Sequence, residues 1–111
     1  MQGAVWHKAV SRVYDGAEKR IRMKNYYSTV DNVVMTFSDI EEKNGFDEIT
    51  VYFERPNENG FDFAEGKLPN NLFYKSYGFS QEELMFLEKY LRNNAPLIWE
   101  LAREKAGVGI A

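Results

Sequence analysis

AVWHKAVSRVYDGAEKRIRM, residues 4–23, admits two foldings, and the choice between them decides the architecture. Read as a helix, it places Val5, Trp6, Ala9, Val10, Val13, Tyr14, Ala17 and Ile21 at spacings of three and four on one face. Lys8, Arg12, Lys19 and Arg22 then fall mostly off that face. Read as a hairpin about Asp15-Gly16, it gathers Val10, Arg12, Tyr14, Lys19 and Ile21 on one side, a mixed set. A central glycine costs a helix about 1 kcal/mol against alanine. The separation of apolar from basic residues outweighs that cost, so the periodicity predicts a helix over 4–23, with Gly16 as its weak point.

Outward from that segment the chain becomes β-rich. VVMTFSDI, DEITVYFER and FDFAE are dense in β-branched and aromatic residues, and EKNG and NENG separate them. Burial selects the register. A three-residue loop Lys43-Asn44-Gly45 sets Phe37 opposite Val51 and Met35 opposite Phe53, whereas a bare Asn44-Gly45 turn would put the apolar rows on opposite faces. By the same reasoning a loop Glu58-Asn59-Gly60 sets Phe63 opposite Arg55. Each loop then ends on a glycine in the left-handed region. The predicted core face is Val33, Met35, Phe37, Ile49, Val51, Phe53, Phe61 and Phe63. Residues 67–80 read as an aromatic connection, long for a compact domain.

The C-terminal segment opens with Phe79, Ser80, Glu82 and Glu83. Ser80 followed by Glu83 is a capping box, Phe79 and Leu84 make a hydrophobic staple, and acidic residues suit a helix N-terminus. Leu84, Leu87, Tyr90 and Leu91 form its apolar stripe. Asn93-Asn94 before Ala95-Pro96 predicts a break near Asn94 and a second helix over 95–105, stopped at Gly107. The expected fold is one α+β domain over 1–111. It consists of an N-terminal helix, a three-stranded antiparallel meander, and two C-terminal helices packed on one sheet face.

Composition narrows the chemistry. The chain has 111 residues, 44% hydrophobic and 28% charged, and no cysteine. The absence of cysteine excludes disulfides, thiolate zinc sites and cysteine nucleophiles, and fits a reducing, cytoplasmic setting. No apolar run approaches the roughly 20 residues of a membrane span, and His7, Lys8 and Arg12 interrupt any signal-peptide core. His7, the only histidine, sits one helical turn from Ser11 without an orienting third group, so it reads as part of a polar face. DIEEKNGFDEIT fails as a calcium loop, with Asn44 where glycine belongs and Thr50 where glutamate belongs. No glycine loop for phosphate and no nucleophile elbow occurs. The expectation is a protein that is not an enzyme and takes no cofactor or metal.

Partners are the remaining question. Residues 1–25 carry six basic side chains against Asp15 and Glu18, while the rest carries 8 basic and 15 acidic. A basic end on an acidic body allows nucleic-acid contacts through Lys8, Arg12, Lys19, Arg20 and Arg22. It also allows an acidic inhibitor presenting Asp31, Glu54, Asp62 and Glu65. The preferred expectation is a regulatory or protein-binding module, contacting a partner or a second copy through Tyr52, Tyr74 and Tyr77. These tyrosines would lie on or beside an open sheet face with Val34, Thr36, Ile40, Thr50 and Asp62.

VYFERPNENGFDFAEGKLPN, GFSQEELMFLEKYL and LIWELAREK, within residues 50–106, resemble a group of small uncharacterised proteins found in Firmicutes genomes. More distantly, the chain is similar to small bacterial domains often encoded near toxin–antitoxin loci, which end in a comparable helix with a late tryptophan. The His-Pro-Pro-His-type segment of those domains does not occur here. The resemblance implies a small bacterial protein of unassigned role and transfers no catalytic residue.

Overall fold

The computed structural model describes residues 10–15 and 20–107, with side chains from residue 24 onward. The elements are β1 (Val10–Asp15), β2 (Arg20–Val30), β3 (Val33–Phe37), β4 (Glu41–Lys43), β5 (Phe46–Asn57), β6 (Gly60–Leu68), β7 (Leu72–Tyr77) and α1 (Gln81–Ala106). Six strands form one antiparallel sheet in the order β1-β2-β3-β5-β6-β7, and the short β4 pairs with β5 alone. α1 crosses one face of it. No helix among the described residues is long and apolar enough to cross a membrane.

The predicted architecture is therefore corrected at both ends. Residues 10–15 pair with 20–25, from Val10 opposite Asn25 to Asp15 opposite Arg20, so the described part of the N-terminal segment is a pair of strands and not a helix. Residues 4–9 and 16–19, with Gly16, lie outside the described residues. Cross-strand pairing compensates for the mixed face that argued against it. β2 then runs on through residues 24–30, which the meander had left unassigned. It turns into β3 through Asp31 and Asn32, both left-handed at φ 52 and 68. That is a two-residue type I′ turn, whose twist matches that of the strands and which asparagine and aspartate tolerate.

The centre of the meander keeps the predicted register but by another route. Met35 faces Phe53 and Phe37 faces Val51. The connection, however, is the two-residue turn Asn44-Gly45, at φ 54 and 84, with Lys43 opposite Phe46. The extra residue is absorbed between Phe37 and Glu41. There the Ser38 N–H donates to the Thr50 carbonyl at 2.8 Å, and the Thr50 N–H donates to Ser38 Oγ at 2.9 Å. A bulge, not the loop, resets the phase.

The next hairpin is shifted by one residue from expectation. Asn57 pairs with Gly60, and its Oδ1 accepts from the Asn59 N–H at 2.7 Å. Phe63 therefore faces Glu54, not Arg55, and the face of β6 toward the helix carries Ala64, Gly66 and Leu68 in place of Phe61 and Phe63. The supposed connection 67–80 contains β7, reached through Pro69-Asn70-Asn71, with Asn71 at φ 63. Its Phe73 lies opposite Gly66 and meets the Phe53 ring edge-on, with centroids 5.7 Å apart. Phe73 thus fills the space that a β6 side chain would have occupied.

α1 is continuous where two helices were expected. Its buried stripe of Leu87, Leu91, Ile98 and Ala102 runs on one face past Pro96, which is exposed. Proline inside a helix costs about 3 kcal/mol. Breaking the helix there would uncover Ile98, Ala102 and the half-buried Trp99 and Leu101, each large side chain worth about 1.5–3 kcal/mol on full burial. Asn94 also holds the segment helical. Its Nδ2 donates to the Tyr90 carbonyl at 2.7 Å, and its Oδ1 accepts from Tyr27 Oη at 2.6 Å. Tyr27 is the bulged residue of β2, between Tyr26 opposite Thr36 and Ser28 opposite Met35. Its hydroxyl pKa is raised by burial first and by Tyr90 second.

The helix ends match the sequence reading. Ser80 Oγ accepts from the Glu83 N–H at 3.1 Å while Glu83 Oε1 accepts from the Ser80 N–H at 2.8 Å, and Gly107 caps the other end at φ 77. Ser80→Ala is expected to lower the unfolding free energy by about 1 kcal/mol, measured by urea denaturation. An effect near zero would mean that the Glu83 arm alone holds the helix start.

Candidate functional site

Between the N-terminal half of α1 and the sheet lies a cavity of about 220 Å3. Its floor is Met35 and Phe53, both buried. Leu87, Phe86 and Tyr90 of α1 form one wall, and Ser28, Val30 and Val33 form the other. The space exists because the β2–β3 hairpin presents short side chains there, too small to fill the gap to the helix. Tyr90 Oη, 2.9 Å from Ser28 Oγ, braces the two walls. Val30, Asp31, Glu82 and Phe86 are exposed, so the cavity opens to solvent between the hairpin and the helix start.

One end is closed by Arg55, whose guanidinium lies 4.7 Å from the centre of the Phe79 ring. Arg55 also bridges two carboxylates. Nε donates to Asp62 at 2.8 Å and Nη1 donates to Glu83 at 2.8 Å. Glu83 therefore belongs both to the helix cap and to the cavity mouth. Its pKa falls from the ordinary 4.5 to about 2, chiefly through the Arg55 hydrogen bonds and then through the Ser80 backbone N–H. Arg55 is raised in turn by its hydrogen bonds to Glu83 first and Asp62 second.

A carboxylate depressed in the folded state contributes stability above its unfolded pKa and loses it as pH falls through the folded value. Glu83 should therefore stabilise the fold fully above about pH 4.5 and progressively less down to about pH 2. Glu83→Gln should narrow the gap to wild type across that window when unfolding is followed at successive pH values. A constant gap would remove Glu83 from the acid response.

The structure separates the tyrosines that the sequence grouped. Tyr52 is 7% exposed, with Lys24 Nζ 4.2 Å from its ring centre. Val34, Thr36 and Thr50 are buried on the same face, so the sheet centre is covered on both sides. Tyr74 and Tyr77 are exposed on β7, the last strand of the sheet. Tyr74 donates to Glu65, and Tyr77 stacks on Phe63 with centroids 6.1 Å apart.

The charged candidates are placed as follows. Lys8 and Lys19 lie outside the described residues; Arg12 is on β1, and Arg20 and Arg22 are on β2, so these three arginines sit on strands and not on a helix. Glu54 pairs with the buried Lys24 at 3.3 Å, Asp62 with Arg55 at 2.8 Å, and Glu65 with Lys75 at 3.8 Å. Asp62 lies beside Arg55 and Glu83, not on the face with Tyr52, because β6 is shifted by one residue.

The cavity itself escaped the sequence reading. STVDNVV, a turn pair flanked by β-branched residues, signals the hairpin that forms one wall, but not the gap between it and the helix. Comparison with protein-family models, with curated proteins and with solved structures finds no match, so the site is read from its own geometry.

Proposed function

We propose that the chain is a non-catalytic protein-binding module whose recognition element is this cavity, which takes one bulky apolar side chain of a partner. The cavity's dimensions carry the reading. Ligand pockets span about 300–1,000 Å3, whereas a void of roughly 150 Å3 already holds a benzene ring. The observed 220 Å3 fits a single large side chain and is small for a cofactor or a drug-sized substrate. Inside its mouth the polar groups are engaged: Ser28 with Tyr90, and Arg55 with Glu83 and Asp62, leaving the exposed carboxylates of Asp31 and Glu82 at the rim. Beside the mouth, Met85 and Phe86 are 63% and 57% exposed, an apolar margin suited to a polypeptide. Tyr74 and Tyr77 offer further aromatic surface on β7.

Random peptides displayed on phage and panned against the protein test this reading. The enriched peptides should share a bulky apolar anchor and should lose binding to Val33→Phe, which fills the cavity from its wall. Val30→Trp, made at an exposed position, provides a second plug if Val33→Phe lowers the thermal midpoint. Peptides that bind both plugged variants as well as wild type would overturn the reading.

A further inference from the structure

The rim of the cavity is acidic, and the acidity is unbalanced. Asp31, Glu82 and Glu83 stand along it against one cation, Arg55. That guanidinium is already shared between Glu83 and Asp62. Asp31 and Glu82 are exposed, and neither has an ion-pair partner among the described residues. They approach the mouth from different elements, Asp31 from the β2–β3 turn and Glu82 from the first turn of α1. Glu82 is favoured there by the helix dipole, which accounts for its place on α1. Nothing in the β2–β3 turn requires aspartate at position 31, because asparagine serves a type I′ turn equally well.

We propose that the partner segment is cationic around its anchor, an apolar side chain flanked by lysine or arginine. The anchor fills the cavity while the flanking cations meet Asp31 and Glu82 on opposite sides of the mouth. This inference rests on the cavity being the recognition element. Complementary charge at a rim steers encounter and selects among partners more than it adds raw affinity. An acidic segment with the same anchor would meet two uncompensated carboxylates and be rejected.

Three short synthetic peptides with the same tryptophan anchor, flanked by lysine, glutamine or glutamate, separate the two levels of the proposal by fluorescence anisotropy. On wild type the lysine peptide should bind about tenfold more tightly than the glutamine peptide, the combined effect of two exposed ion pairs. The glutamate peptide should bind most weakly. The preference should shrink with added salt. Asp31→Lys combined with Glu82→Lys changes two exposed residues outside the core and should invert the order, with Val33→Phe weakening all three peptides. Equal binding of the lysine and glutamine peptides, or an order unchanged in the charge-reversed protein, overturns the cationic partner but leaves the cavity reading standing. Undiminished binding to Val33→Phe and Val30→Trp, or no binding by any of the three, overturns both.

Discussion

Phe53→Ala should cost about 4 kcal/mol, within the 3–5 kcal/mol seen when a buried phenylalanine is truncated. Phe53 is 1% exposed and sits where three elements meet. Its ring takes the edge of Phe73 from β7 at 5.7 Å and that of Tyr90 from α1 at 6.5 Å. It is also part of the cavity floor. The neighbours therefore cannot collapse onto the vacated space, because on one side there is already a void. The stabilisation at risk is a large share of the roughly 5–15 kcal/mol that holds a domain of this size. Urea unfolding should show a lower midpoint with an unchanged slope. A loss below about 2 kcal/mol, the lower end for truncating large aliphatic core residues, would show that the sheet and the helix repack around the gap.

Gly66→Ala should cost about 2 kcal/mol, for the opposite reason. A Cβ at this buried position would lie 2.8 Å from the Leu72 carbonyl oxygen and 2.9 Å from Phe73 Cδ1. Overpacking of this kind costs about 1–3 kcal/mol. The smaller conformational freedom of alanine in the unfolded chain returns only about 0.4–1 kcal/mol. Shrinking Phe73 relieves one clash and leaves the other, since the Leu72 carbonyl is backbone. A double-mutant cycle of Gly66→Ala with Phe73→Leu should therefore recover only part of the loss. Full recovery would place the whole strain on the ring, and β7 would then be free to shift.

These two residues also mark how far the sequence could be read. Phe53 was assigned to the core on alternation and register alone, and the pairing of Met35 with Phe53 and Phe37 with Val51 followed from burial. The helix start was equally plain, since Ser80 and Glu83 satisfy each other within one turn and need no tertiary information. What failed was every choice that another element decides. Phe61 and Phe63 seemed better core residues than Ala64 and Gly66 until Phe73 arrived from a strand not foreseen. Pro96 argued for a break until Ile98 and Ala102 had a sheet to cover. Residues 10–15 and 20–23 satisfy helical spacing and strand pairing alike in sequence, and they pair as strands where β2 runs on beside β3 from Asn25 to Val30. The cavity lies in a gap between side chains, and gaps have no residues of their own.

Every strand of the main sheet follows its neighbour in space almost as it does in the chain, while α1 comes after all of them. During synthesis the hairpins can zip one by one through short loops, at low cost in chain entropy. The apolar row of Met35, Phe37, Ile49, Val51 and Phe53 has no cover until Leu87 to Ala102 have left the ribosome. For that interval the nascent chain presents a bare β-surface, the kind that aggregates or recruits a chaperone. The helix therefore acts as a closing latch on the order of assembly: a stop codon before Leu87 would release an uncovered sheet, and one between Leu91 and Ile98 a half-covered one, instead of a shortened module.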